Sequence, residues 1–488
     1  MEDTQGAWCW PQSVLGGEAV SLFISAEGAV KVHVVRQGAE EERVVTRTAT
    51  ATLPPVTEHT HSDGCDWSDT LVVETQPDWR SGFYRVDVTC SDGDVLHAYF
   101  IVRSRQPGRC LFVLSTSTWS AYNHWGGPSF YTGGHASSLR RPLPAGFLAK
   151  PDPRRWRLAR LAEQDKAARR SFLESYSSWC MAAGWANQEL LFARWAEQQR
   201  IQLDYATSVD LHQQGNELLT QDYSAYVSVG HDEYWSAEMR DAVEGFVSRG
   251  GSAAFFSGNT SFWQIRFEAN DSRIIGYKLA LEDDPVFNTP QEQSLSTMWS
   301  DPLVGRPENH MTGVSFTRGG YAHMQNAPRG TGGYTVWQPQ HWALEGLDLR
   351  AGDVVGAQPV VVGYECDGCE LELVDGIPVA TGNDGTPQDF QVIGTAPAHL
   401  WETNEGLAIG LPDDYVGELN WVAQRLAGAD TPSNRQRFAL GRAVLGSFAK
   451  DKGTVFTTGC TDWAYGLEDP EVATITRNVL QRFGAMSR

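Results

Sequence analysis

Three apolar runs, each too short for a helix and each closed by a polar cluster, dictate most of what this chain can become. Cys110-Leu-Phe-Val-Leu114, Tyr226-Val-Ser-Val229 and Ser252-Ala-Ala-Phe-Phe256 read as strands buried on both faces, the pattern of a parallel sheet covered by helices. Amphipathic stretches at Arg154 to Gln164, Lys166 to Tyr176, Ala186 to Gln199 and Ala237 to Arg249 read as those helices. Gln202 to Thr207 adds a further strand, with Ser208 to His212 as the loop after it. This β-α-β-α-β alternation predicts a doubly wound α/β sheet. Such sheets bind ligands at the carboxyl ends of their strands, so the residues that follow each strand matter most.

After Val229 the chain runs Gly230-His231-Asp232-Glu233-Tyr234-Trp235-Ser236. Gly230 frees the backbone to turn, and Ser236 is a natural N-cap for a helix whose stripe carries Met239, Val243 and Phe246. Three titratable side chains at a strand end suit a metal or acid/base site. They also suit a solvated loop in which His231 caps a backbone group, and spacing leaves both readings open. After Leu114 comes Ser115 to Tyr131, too polar and too aromatic for an ordinary turn. Gly126, Gly127 and Pro128 let it fold sharply enough to bring Tyr122 and Tyr131 to one pocket; the plainer reading is an aromatic loop packed on the sheet rim. Ser257-Gly258-Asn259-Thr260 closes the third run. The expected site is therefore assembled from three loops on one sheet edge.

Residues 1–105 read differently. Alternation in Val20 to Ile24, Val30 to Val35 and Phe83 to Val88, with turn residues between, predicts a β-sandwich, and Asp78 to Tyr84 resembles the strand entry of immunoglobulin-like modules. His59 and His61 fall in a solvated loop, and Ser104 to Gly108 reads as the linker to a second domain over 108–488. Within that domain, residues 270–355 lose periodicity and read as an irregular insertion. Val360 to Glu365, Gln391 to Gly394 and Gly453 to Gly459 are expected strands, and Pro470 to Phe483 an expected closing helix.

Charge narrows the partners. With 39 basic against 60 acidic residues the net charge is −21 and no basic run offsets it, so nucleic acid and anionic membrane are poor partners. No 18-residue apolar stretch occurs, and the acidic start lacks the apolar run of an export signal, which argues for a soluble cytoplasmic protein. In that setting the eight cysteines are expected to be reduced. Cys366-Asp-Gly-Cys369 lacks the second pair that a zinc site needs.

Thr118-Trp-Ser-Ala-Tyr122-Asn123, Ser129-Phe-Tyr131, Ser138-Leu-Arg-Arg141-Pro142, Gly230-His-Asp-Glu233-Tyr-Trp-Ser236, Gly258-Asn259-Thr260 and Gly363-Tyr-Glu365 occur in one order. In that order they resemble the catalytic domain of the N,N-dimethylformamidase large (beta) subunit family, over most of residues 108–488. The resemblance implies a glutamine-amidotransferase-like α/β core and a mononuclear ferric ion held by Tyr122, Tyr131 and Glu233. It implies His231 and Asn259 beside the metal and Glu365 as the carboxylate that handles protons. It also implies hydrolysis of the carbon–nitrogen bond of a small amide, with a homo-oligomer or a small accessory subunit as partner. Two phenolates and a carboxylate supply three hard anionic oxygens, which suit Fe³⁺ better than Zn²⁺.

Two other classes remain open at this level. Cys460, after the strand Val455 to Thr458, is the best-placed thiol for a cysteine amidohydrolase on the same core. The 18 tryptophans and the sandwich also suit a non-catalytic ligand-binding protein.

Overall fold

The computed structural model describes residues 4–151, 174–220, 222–324, 327–403 and 415–486. The expected helix Arg154 to Gln164, and Lys166 to Tyr176 apart from its last three residues, lie outside them. The chain is a mixed α/β protein of two compact units. One comprises Met1–Gln214 with Phe267–Gly276, the other Gly215–Arg266 with Tyr277–Arg488. The β-rich segment and the first βα elements both fall within the first of these units.

In the first unit, alternating side chains build two sheets around one core. Strands β1 (Gly6–Trp10), β3 (Ala19–Ser25) and β6 (Leu71–Glu74) form one sheet. The other holds β2 (Ser13–Leu15), β8 (Val95–Arg103), β7 (Gly82–Thr89), β4 (Gly28–Gln37) and β5 (Glu41–Ala51), in that order. Val20, Leu22, Val32, Val34, Val86 and Phe100 point inward from both and are fully buried. Register follows the pattern: Val32 faces Val88 and Val34 faces Val86 across β4 and β7.

The same unit carries β9 (Cys110–Leu114) parallel to β10 (Leu203–Thr207), with all ten residues buried. Two loops expected after these strands are helical. Helix α1 (Thr116–Ala121) starts two residues beyond β9, and α3 (Ser208–Leu218) starts directly beyond β10; α2 is Gln188–Gln198. The cause at β10 is a capping box. The Asp210 N–H donates to Thr207 Oγ1 at 3.1 Å, and the Asp210 carboxylate takes back the Thr207 N–H at 2.8 Å. T-x-x-D was legible as a helix start and outweighs the polar character of the segment.

The second unit holds a mixed sheet in the order β11 (Ala225–His231), β12 (Ser252–Gly258), β17 (Gly453–Thr457), β16 (Leu440–Lys450), β15 (Gln391–His399), β13 (Ser315–Tyr321) and β14 (Glu365–Gly368). The first three strands run parallel and the rest pair antiparallel. Helix α4 (Ala237–Arg249) follows β11 as expected: Ser236 Oγ accepts the Met239 N–H at 3.3 Å, and Gly250 closes it in the left-handed region. Helices α5 (Glu418–Ala427) and α6 (Pro470–Arg482) complete the elements used below.

One expected strand is displaced. Val360 to Glu365 is a turn rather than a strand, with Val360 at φ +60° and its N–H bonded to the Ala357 carbonyl; the strand begins at Glu365. The apolar run fooled the periodicity because Val361 and Val362 are buried from within a turn. No helix among the described residues is long and apolar enough to cross a membrane. All eight cysteines are free and buried.

Candidate active site

In the first unit, the segment after α1 is pinned rather than solvated. The buried Arg141 guanidinium donates to the carbonyls of Trp125 and Asn123 and to Ser137 Oγ, while Asn123 Nδ2 donates to the Pro142 carbonyl at 2.9 Å. Gly126 and Gly127 turn the chain at φ +71° and +144°, and the Phe130 N–H returns to the Ala121 carbonyl at 3.1 Å. Tyr122 and Tyr131 are thereby brought together. Their rings stack at 4.3 Å, and Tyr131 Oη donates to Tyr122 Oη at 2.7 Å. Trp179 flanks both rings, at 5.4 and 5.1 Å.

In the second unit, four more of the expected residues converge. Gly230 lies at φ +81° near the end of β11, and His231, the last residue of the strand, has its Nε2 2.6 Å from Glu365 Oε2 and 3.3 Å from Glu233 Oε2. Glu233 Oε1 accepts the Trp263 indole N–H at 2.7 Å. Asn259, at φ +49° just beyond β12, donates from Nδ2 to Glu365 Oε2 at 3.2 Å and lies 3.3 Å from His231 Nε2. With the imidazole proton on Nε2 facing Glu365, the asparagine amide has only the carboxylate to donate to. All four side chains are buried.

Sheet geometry holds this cluster. Asp367 accepts the backbone N–H groups of Asn259 at 2.9 Å and Thr260 at 3.1 Å. Burial pushes its carboxyl up to about 8, although both N–H groups pull it down. A side chain on Gly258 would meet the Cys460 and Thr461 backbone at 2.5 Å, so only glycine fits where β12 ends. Asp232 faces away from the cluster, accepting from Ser228 Oγ at 2.7 Å and from the Trp235 indole at 3.0 Å.

Further residues of this cluster escape sequence reasoning. Lys278, at φ +55°, is buried with its ammonium 5.0 Å from the Trp263 ring and 5.8 Å from that of Tyr234. Burial pulls its amine down to about 8, against the pull of Glu233, Glu418 and Glu365. Glu418 starts α5, and its Oε1 accepts from Tyr415 Oη at 2.5 Å and Tyr321 Oη at 3.1 Å. Burial raises the Glu418 carboxyl and drives both phenols well up. Lys278 stands alone in an aperiodic stretch, and Glu418 reads as an ordinary acidic residue of a helical first turn, so no local pattern marks either.

Cys460 is fully buried, and burial pushes its thiol up to about 12, leaving almost no thiolate near neutrality. Among the described residues no group of three or more His, Cys, Asp and Glu side chains is arranged to hold a metal. The set implied by resemblance contains one residue of those types and two tyrosines.

Residues 29–477 match the family described as N,N-dimethylformamidase beta subunit-like, C-terminal. The chain belongs to this family. The dimethylformamidase-like match takes in Tyr122, Tyr131, His231, Glu233, Asn259 and Glu365. Among curated relatives, the N,N-dimethylformamidase beta subunit of Paracoccus aminophilus is 22% identical over 462 residues, covering 86% of this chain and 55% of that protein. The same-named subunit from Alcaligenes sp is 24% identical over 307 residues, covering 59% and 35%. This dimethylformamidase-like chain thus spans about half the length of the first relative and about a third of the second. Among solved structures, a superoxide reductase (neelaredoxin) of Ignicoccus hospitalis aligns with 21% of this chain and 82% of its own, at 9% identity and a TM-score of 0.14, which carries no argument.

Proposed function

We propose that this chain is an iron-dependent hydrolase of the carbon–nitrogen bond of a small amide. The observation that carries the reading is the buried cluster in which His231 Nε2 lies 2.6 Å from Glu365 and 3.3 Å from Glu233, in a member of the dimethylformamidase-like family. The named relatives are N,N-dimethylformamidase subunits, which supports an amide as substrate. Their designation as beta subunits supports a partner subunit for this chain too. The parallel strands β11, β12 and β17 support the doubly wound, glutamine-amidotransferase-like core, with the sandwich read as immunoglobulin-like.

The donor set fits a ferric ion. Tyr122 and Tyr131 place two hydroxyl oxygens 2.7 Å apart, and Tyr122, Tyr131 and Glu233, the set the family resemblance implies, are the residues that would hold it. When bound, the ion supplies Lewis acidity at the amide carbonyl and at water.

The protein's own groups do the proton work. Glu365 takes a proton from the attacking water and returns it to the departing nitrogen, giving a carboxylic acid and an amine. His231 holds the two carboxylates in fixed relation through one ring nitrogen, and Asn259 fixes the Glu365 oxygen that faces it. Burial excludes bulk water from all four side chains, which strengthens each of these hydrogen bonds.

The test combines metal analysis, the visible spectrum and hydrolysis of small formamides. We expect about one iron per chain, a tyrosinate-to-ferric charge-transfer band and amine release, with Glu365→Gln keeping iron but losing turnover. A protein that stays colourless after iron reconstitution and releases no amine overturns the reading.

A further inference from the structure

The buried cluster of the second unit contains an acid that the mechanism above does not use. Glu418 is the first residue of α5, where a carboxylate commonly faces solvent and complements the helix dipole. This one is only 9% exposed, and two phenol hydroxyls are spent on one of its oxygens. The other oxygen, Oε2, is buried with no hydrogen-bond partner among the described residues. A buried acceptor left without a donor is costly, and a donor supplied from outside the chain is one reason for which native structures keep such a group.

Its surroundings tie it to the same cluster. The Tyr321 ring, whose hydroxyl holds Glu418, packs 5.8 Å from Tyr364, and Tyr364 lies 6.4 Å from the His231 ring. The charges of Glu418, Glu233 and Glu365 all reach Lys278. A second acceptor in the cluster is also unmatched: Asn259 Oδ1 is buried without a partner, while its Nδ2 is engaged by Glu365. Two unmatched acceptors among side chains whose other polar atoms are occupied suit a ligand that brings hydrogen-bond donors. An amide nitrogen with one or two hydrogens does so; a dialkylated nitrogen does not.

We propose that Glu418 is a specificity residue whose Oε2 accepts a hydrogen bond from the substrate N–H, so that this chain selects primary and N-monosubstituted amides over N,N-dialkyl amides. The proposal rests on the amidase reading. Tyr321 and Tyr415 then act as positioning residues, holding the carboxylate by Oε1 so that Oε2 is presented in one direction.

The experiment compares N-methylformamide with N,N-dimethylformamide on the iron-loaded full chain. It measures kcat/KM for each and, independently of turnover, equilibrium binding of each by saturation-transfer NMR. Wild type should favour N-methylformamide about tenfold or more in both readouts, because a site built to bond an N–H rejects an analogue that lacks it. Glu418→Gln keeps the shape but puts an NH₂ donor where Oε2 was, and should cut that preference about tenfold. The wild-type preference stands as a test even if the variant does not fold. Equal handling of both amides by wild type, or a Glu418→Gln protein that loses activity toward both by one factor and keeps its preference, overturns the proposal and leaves the amidase reading intact. Absence of both binding and turnover for either amide overturns the amidase reading itself.

Discussion

Asn259 joins backbone strain to site chemistry, and its two contributions can be separated. The residue sits at φ +49°, where an ordinary side chain costs about 1–2 kcal/mol and asparagine much less. Its amide donates to Glu365 Oε2 at 3.2 Å, a hydrogen bond to a buried acid worth about 1.5–3 kcal/mol. Asn259→Gly removes the amide and tolerates the conformation, so folding stability should fall by no more than the worth of that hydrogen bond. kcat/KM for amide hydrolysis should fall roughly 10- to 150-fold, since each 1.4 kcal/mol is a factor of ten. Asn259→Ala should lose a similar amount of activity and about 1–2 kcal/mol more stability than Asn259→Gly. The assay is steady-state hydrolysis beside chemical unfolding of wild type and both variants. Wild-type kcat/KM in Asn259→Gly would refute the role given to the amide; equal stability losses in the two variants would refute the role given to the backbone.

Other predictions follow from single contacts. Tyr122→Phe and Tyr131→Phe should each lose iron and activity together, and an iron-replete Tyr131→Phe protein removes that residue from the ligand set. Trp263→Phe deletes the N–H that holds Glu233 Oε1 at 2.7 Å and should weaken iron binding about 10- to 100-fold, measured by competition with a chelator. His341 is buried, donates from Nε2 to Ser447 Oγ at 3.0 Å and accepts the Ala343 N–H on Nδ1 at 3.2 Å; burial pulls its imidazole down to about 4. Its folded form is neutral while the unfolded chain takes up a proton below about 6.5, so stability is complete above that pH and is lost as pH falls towards 4. The loss approaches about 3 kcal/mol, and His341→Gln should flatten that part of the stability–pH curve.

Local patterns made much of this legible. β11, Ser236 and α4 were readable because buried alternation, a capping serine and a 3.6-residue stripe agree over one stretch. α3 was missed where a capping box sat inside polar residues, and β14 was misplaced because Val361 and Val362 are buried from a turn. His231, Glu233 and Asn259 stood out because each lies at or just past the end of a buried strand within three residues of a glycine, whereas Glu365 was marked only by the family resemblance. Lys278, Glu418, Tyr321 and Tyr415 did not, since what joins them is long-range packing between segments far apart in sequence, and spacing carries no record of that.

Glu365 and Asp367 stand two residues apart on β14, so both face Asn259: one takes its side-chain amide, the other its backbone N–H. Each residue's main chain is also fixed, by the Thr461 N–H on the Glu365 carbonyl and by the Gly459 carbonyl on the Asp367 N–H. Adding or deleting one residue in the preceding turn, 359–364, would leave composition and hydrophobicity almost untouched. It would nonetheless replace both acids at a stroke, by Tyr364 and Cys366 on an insertion or by Cys366 and Gly368 on a deletion. For anyone reshaping this protein, that turn is the place where length matters more than chemistry.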